Sequence, residues 1–187
     1  NSISVDGDTS TNDTVFFVST SKQKHKKINS FSDTHYSNFL IELNKLLLDL
    51  ALQIVRDGEG ARKLIKILVK NAKTYKRAKN IAFSIANSLL VKTFLGSNEI
   101  NLGRIFMAIG KSYESINQDK ISYSIGNINI VKNGKLINKI KTTTIKNCLN
   151  KKEILLSIDL QEGKENTSIY TCDLTKKYID INTNYLT

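Results

Sequence analysis

Ile54–Lys63, IVRDGEGARK, joins the strongest helical pattern in the chain to its next apolar run. Upstream of it, Phe39, Leu40, Leu43, Leu46, Leu47, Leu50, Ala51, Ile54 and Val55 recur at three- and four-residue spacing. That spacing predicts an amphipathic helix over Tyr36–Arg56, opened by Ser32 or Asp33 as its cap and stopped by Gly58 and Gly60. Downstream, Leu64–Val69 is nearly all apolar and predicts a strand. Thr74 caps a second helix, Tyr75–Leu90, whose small residues Ala82, Ala86 and Ser88 suit close packing on a sheet. A short third helix is predicted over Arg104–Lys111.

Outward from this block the pattern changes. Ile3–Val5 leads into an acidic, hydroxyl-rich turn, DGDTSTND, whose side chains bond local backbone. Val15–Ser19 (VFFVS) is expected as a buried strand, and Thr20–Asp33 as an exposed polar loop. Beyond Gly110–Lys120, Ile121–Ile125, Ile128–Val131 and Lys135–Asn138 read as short strands with Asn133-Gly134 as a hairpin turn. Lys141–Leu149 reads as a helix. Ile154–Leu160 and Asn166–Cys172 read as strands around Glu162-Gly163, and Tyr178–Ile181 as a last strand. Hairpins beside helical crossovers imply an α+β layered fold, with a helix-rich part over residues 1–112 and a strand-rich part over 113–187.

The 187 residues carry a formal net charge of +11, with 40% hydrophobic and 24% charged residues. This is the composition of a globular domain large enough for a real core. No apolar run reaches the length of a membrane span, and no membrane partner is expected. A basic balance suits nucleic acid, but the lysines are dispersed beside Asn and Ile, and only 7% of residues are aromatic. Stacking platforms for nucleic acid are therefore not expected. Cys148 and Cys172 stand apart without CxxC spacing, and His25 and His35 lie in a polar stretch, so no metal site is expected. The chain opens on Asn1 rather than Met, which is expected to be a cut or processed end.

The sequence holds no GxSxG elbow, phosphate-binding glycine loop or metal-ligand cluster. Two segments stand out chemically. In Asp57-Gly58-Glu59-Gly60 a carboxylate flanked by glycines can meet an ammonium group; equally, the turn is a helix stop whose charges pair with Arg56, Arg62 or Lys63. Val5–Thr14 and Asp180–Thr187 are dense in Asp, Asn and Thr, and suit either a polar ligand or solvated turns.

Taken in order, VDGDTSTNDT (Val5–Thr14), IVRDGEGA (Ile54–Ala61), SIANSLLVKT (Ser84–Thr93), Gly103-Arg104, TCDLT (Thr171–Thr175) and INTNYLT (Ile181–Thr187) resemble the β chain of the ornithine acetyltransferase family, the glutamate N-acetyltransferases of arginine biosynthesis. The resemblance implies a cytoplasmic enzyme made as one precursor that cuts itself at an Ala-Thr bond. The new N-terminal Thr takes acetyl from N-acetylornithine and passes it to glutamate, with an oxyanion hole on the α chain. It further implies an α2β2 heterotetramer and no cofactor, leaving acetyl-CoA open as a second acetyl donor. The nucleophile is expected upstream of Asn1, so this chain is a partial β chain with no catalytic residue of its own. Thr9, Thr11 and Thr14 are internal and lack the free amino group that would serve as base. The family's substrate-binding positions map to Glu59, Asn182 and Thr187.

The chain departs from the family pattern at Ser97, Glu99 and Leu102, where Gly, Asp and Trp are usual. It also departs at Leu89 for Pro, at Lys176-Lys177 for His-Gly, and at Leu186 for Arg. An inactive relative and a non-catalytic basic binding module are the competing alternatives.

Overall fold

A computed structural model describes residues 2–97, 99–138 and 140–184. Asp33, in extended conformation, accepts the His35 N–H and opens α1, Thr34–Arg56. The helix ends at Asp57, and Gly60 turns the chain with φ +67. A Cβ at Gly60 would press on the Tyr178 backbone, so glycine is required there on two counts. β1, Leu64–Ala72, follows. Thr74 caps α2, Tyr75–Ala86. The expected single helix to Leu90 breaks at Asn87-Ser88, because Ser88 adopts extended backbone and caps a separate helix, α3, Leu89–Gly96. α4 spans Gly103–Gly110.

The second half supplies β2 (Ser122–Ile125), β3 (Ile128–Lys132), β4 (Lys135–Leu136), α5 (Thr142–Leu149), β5 (Glu153–Asp159), β6 (Glu165–Cys172) and α6 (Lys176–Thr183). Asn133 and Gly134 both have positive φ, 48° and 73°, as a two-residue hairpin of the expected type requires. The strands form one six-stranded sheet ordered β4-β3-β2-β5-β1-β6. β1 runs parallel to β5, with Ile67 opposite Leu156, and antiparallel to β6, with Ile67 opposite Ile169. β5 and β6 are therefore not a hairpin, although they are consecutive. The Glu162-Gly163 turn instead arches over the end of β1, both backbone N–H groups donating to the Asn71 carbonyl. Ile65, Ile67 and Val69 are fully buried with Ala78, Ile81, Ala82 and Ile85 of α2 in the core. The other side of β1, Lys66, Leu68 and Lys70, is half-buried. This is the expected α+β layering.

Two expected strands are corrected. Val15–Ser19 has no regular structure, and Val15, Phe16, Phe17 and Val18 are 69–86% exposed. An apolar run becomes a strand only where an edge accepts it, and the outer edge of β6 is taken by Ser2–Ser4: Ser4 N–H donates to the Tyr170 carbonyl and Tyr170 N–H to that of Ser2. Tyr178–Ile181 is part of α6, not a strand. Tyr178 and Asn182 stand one helical turn apart, and Asn182 Nδ2 donates back to the Tyr178 carbonyl at 3.0 Å.

α1 is unusual in its packing. Val55 is its one buried residue among those described, while Phe39, Leu46, Leu47, Leu50 and Ile54 are 42–55% exposed.

Candidate functional site

The turn after α1, the N-terminal run and α6 enclose a cleft of about 800 Å³. Asp6, Asp8, Asp13, Asp57 and Glu59 line it, and no Lys or Arg does among the described residues. An acidic cleft on a chain of net charge +11 is a local inversion of sign that favours an ammonium-bearing ligand. The opposite face of the same turn is basic: Arg62 and Lys63 line a separate depression with Lys151 and Lys152.

Glu59 and Asn182 are brought together directly. Asn182 Nδ2 donates to Glu59 Oε2 while also bonding the Tyr178 carbonyl, so α6 orients the carboxylate from across the cleft. Both side chains are exposed and free to meet a ligand. Thr187, the third expected binding residue, lies outside the described residues. Thr9 is an exposed member of the cleft wall. Thr11 and Thr14 are engaged locally with Asn12.

Residues that the sequence did not single out hold the walls in place. Tyr178 donates its hydroxyl to Asp6 Oδ2 at 3.0 Å, while Asp6 Oδ1 accepts the Asp8 N–H at 2.9 Å. Burial first, then the bond to Asp6 and the charges of Asp6, Asp8 and Glu59, push the Tyr178 hydroxyl up to about 12. Ser4 Oγ donates to Asn87 Oδ1 at the break between α2 and α3. Gly7, at φ +101, passes against the Asn87 side chain.

The TCDLT stretch is the buttress beneath. Asp173 is 2% exposed, and its Oδ1 accepts the backbone N–H groups of Arg62 and Lys63 at 2.8 and 2.9 Å. It thereby fixes the exit of the DGEG turn. Thr175 Oγ1 donates to the Gly60 carbonyl at 2.8 Å. Cys172 packs with Val55 and Leu64 under Ile3 and Val5, and burial pushes its thiol up, so it is a packing residue rather than a nucleophile. Lys92 Nζ, on α3, reaches the Val5 carbonyl, Thr171 Oγ1 and the Cys172 carbonyl. Its sequence signal is a single lysine set between Val91 and Phe94-Leu95, all buried. Motifs separated by more than a hundred residues thus form one structure around one cleft. Among the described residues no group of three His, Cys, Asp or Glu could hold a metal ion, and no helix is long and apolar enough to cross a membrane.

Comparison with known proteins places this arrangement. The model of the ArgJ family matches residues 1–187. The protein named "Arginine biosynthesis bifunctional protein ArgJ" of Agrobacterium fabrum is 40% identical over 191 residues, covering 99% of this chain and 46% of that protein. Its namesake in Gluconobacter oxydans is 41% identical over 185 residues, with 99% and 44% covered. The crystal structure of the arginine biosynthesis bifunctional protein from Bacillus halodurans superposes with a TM-score of 0.91 at 35% identity, over 98% of this chain and 85% of that one. The chain spans about half the length of the curated relatives it matches. With a family match over residues 1–187, relatives at this identity and a shared overall fold, the chain belongs to the ArgJ family.

Proposed function

We propose that this chain is the β-chain portion of an acetyltransferase that moves acetyl from N-acetylornithine to glutamate in arginine biosynthesis, and that its acidic cleft is the substrate site. The observation that carries this is the meeting of Glu59 and Asn182 in a cleft lined by carboxylates on an otherwise basic protein. Each substrate carries an ammonium group, and a carboxylate oriented by an amide from across the cleft binds one by charge-assisted hydrogen bonds. Thr187, carried over from the family resemblance, is the third binding residue of this proposal. The carboxylates of the substrates call for a cationic partner, and no Lys or Arg lines this cleft among its described residues, so that partner comes from another part of the protein.

The hydroxyl that accepts acetyl belongs to a threonine preceding this segment. The threonine oxygen bonds the acetyl carbon as the bond to the ornithine nitrogen breaks and the hydroxyl proton passes to the departing amine; the glutamate amine, after losing its extra proton, then takes the acetyl and a proton returns to the threonine oxygen. Acetyl-CoA remains a second candidate donor. The partner is the α chain of the same precursor in a cytoplasmic α2β2 assembly. The relatives' extra length and the exposed apolar residues of α1 support a partner that covers that face.

In the intact precursor, Glu59→Gln is expected to leave self-cleavage unchanged on a denaturing gel. It should raise KM for N-acetylornithine about tenfold or more, the worth of a charge-assisted hydrogen bond of about 1.5–3 kcal/mol. Wild-type kinetics in this variant would remove Glu59 from the site.

A further inference from the structure

Lys92 is 1% exposed on α3, between the buried Val91 and Phe94. A lysine ammonium has three donors, and each finds an oxygen: the Val5 carbonyl, Thr171 Oγ1 at 2.8 Å and the Cys172 carbonyl at 2.6 Å. Burial lowers its pKa, opposed by the nearby Cys172, Asp173 and Asp6.

A methionine or leucine would fill this space without the desolvation cost of a buried charge, so the ammonium is explained by what it holds. Thr171 and Cys172 belong to β6 and are already placed by the sheet. Val5 is different: it lies in a segment without regular structure beyond the Ile3 bridge. The next residues are Asp6, Gly7 and Asp8 of the acidic wall. Asp6 is the residue that Tyr178 reaches from the α6 side. Moving the Val5 carbonyl would therefore move the wall that faces Glu59 and Asn182.

We propose that Lys92 is a positioning residue, which pins the Val5 carbonyl to the end of β6 and so sets the acidic wall at its working distance from the Glu59–Asn182 pair. The consequence for catalysis rests on the cleft being the substrate site; the clamp itself does not.

The test uses the intact precursor with Lys92→Met, which keeps the chain length and removes the donors. Hydrogen–deuterium exchange of the peptide spanning residues 2–14 is expected to speed up about tenfold, as for loss of one firmly held contact, with peptides from β1 and β6 unchanged. KM for N-acetylornithine is expected to rise about five- to tenfold at nearly constant kcat, because substrate contact is weakened while chemistry is not.

Exchange at 2–14 that matches wild type overturns the clamp, and so does a fall in kcat alone with KM unchanged, the signature of a smaller folded fraction. If Lys92→Met does not accumulate as folded protein, Thr171→Val, which removes one acceptor and keeps the β-branched shape, carries the test. It is expected to raise KM about two- to threefold, the effect of one weakened hydrogen bond, and an unchanged KM overturns the proposal. A wild-type protein without acetyl transfer would remove the substrate reading of the cleft, and the exchange measurement would still decide the clamp.

Discussion

Tyr178 links the two walls of the cleft through a single hydrogen bond to a residue 172 positions earlier. Its hydroxyl is held protonated up to about 12, against an ordinary value of 10.0. Between those values the folded chain keeps a proton that the unfolded chain has lost. The stabilisation is therefore complete below about pH 10 and is lost as pH rises through about 12. Tyr178→Phe is expected to abolish this alkaline component, seen as a flatter dependence of the urea midpoint on pH above 10, and to weaken substrate binding by freeing Asp6. Residues like Tyr178 and Lys92 were not legible as site residues in the sequence. Their importance lies in contacts that only the fold creates, and a helical Tyr or Lys carries no local mark of them. Glu59 and Asn182 could be singled out as candidates because they stand inside recognisable motifs, and the structure brings the two side chains into contact.

At the scale of elements, α2 and α1 make opposite predictions. α2 buries Ala78, Ile81, Ala82, Ile85 and Ala86, and Thr74 accepts the Arg77 N–H at its start. Thr74→Ala is expected to cost about 1 kcal/mol of stability, measured by urea denaturation. α1 leaves Leu46, Leu47 and Leu50 exposed. Leu47→Glu is therefore expected to change the stability of this chain by no more than about 0.5 kcal/mol while preventing co-purification with the N-terminal half of the precursor. Retained co-purification would place the partner elsewhere. The periodicity of α1 made its existence and approximate length plain, and left Ser32 or Asp33 as its cap, of which the structure uses Asp33. The same apolar stripe could not say whether this chain or another covers it. Val15–Ser19 failed for a related reason: hydrophobicity marks what wants cover, not which edge is vacant. Tyr178–Ile181 is too short to separate strand from helix by period.

At the scale of the molecule, the layered α+β class was legible and the order of strands was not. Sequence neighbours usually pair, and β5 and β6 look like a hairpin about Gly163. The actual sheet inserts β1 between them, and Gly163 is glycine because a Cβ there would collide with the Ala72 carbonyl. A chain truncated after Asn150 lacks both neighbours of β1 and is expected to remain unfolded, with collapsed amide dispersion in its NMR spectrum.

That insertion has a temporal side. Leu64 pairs with Glu153 on one edge and Cys172 on the other, so β1 is made roughly a hundred residues before its neighbours. At about 5–20 residues per second of synthesis, this leaves LIKILVKNA unpaired for about 5–20 s. Lys66 and Lys70 put charge into that apolar stretch, as gatekeepers do in segments prone to self-association. The strand order that seats β1 between β5 and β6 is thus also the one that completes the sheet last on the ribosome, and Lys66 and Lys70 are the charges that oppose self-association of β1 in the meantime.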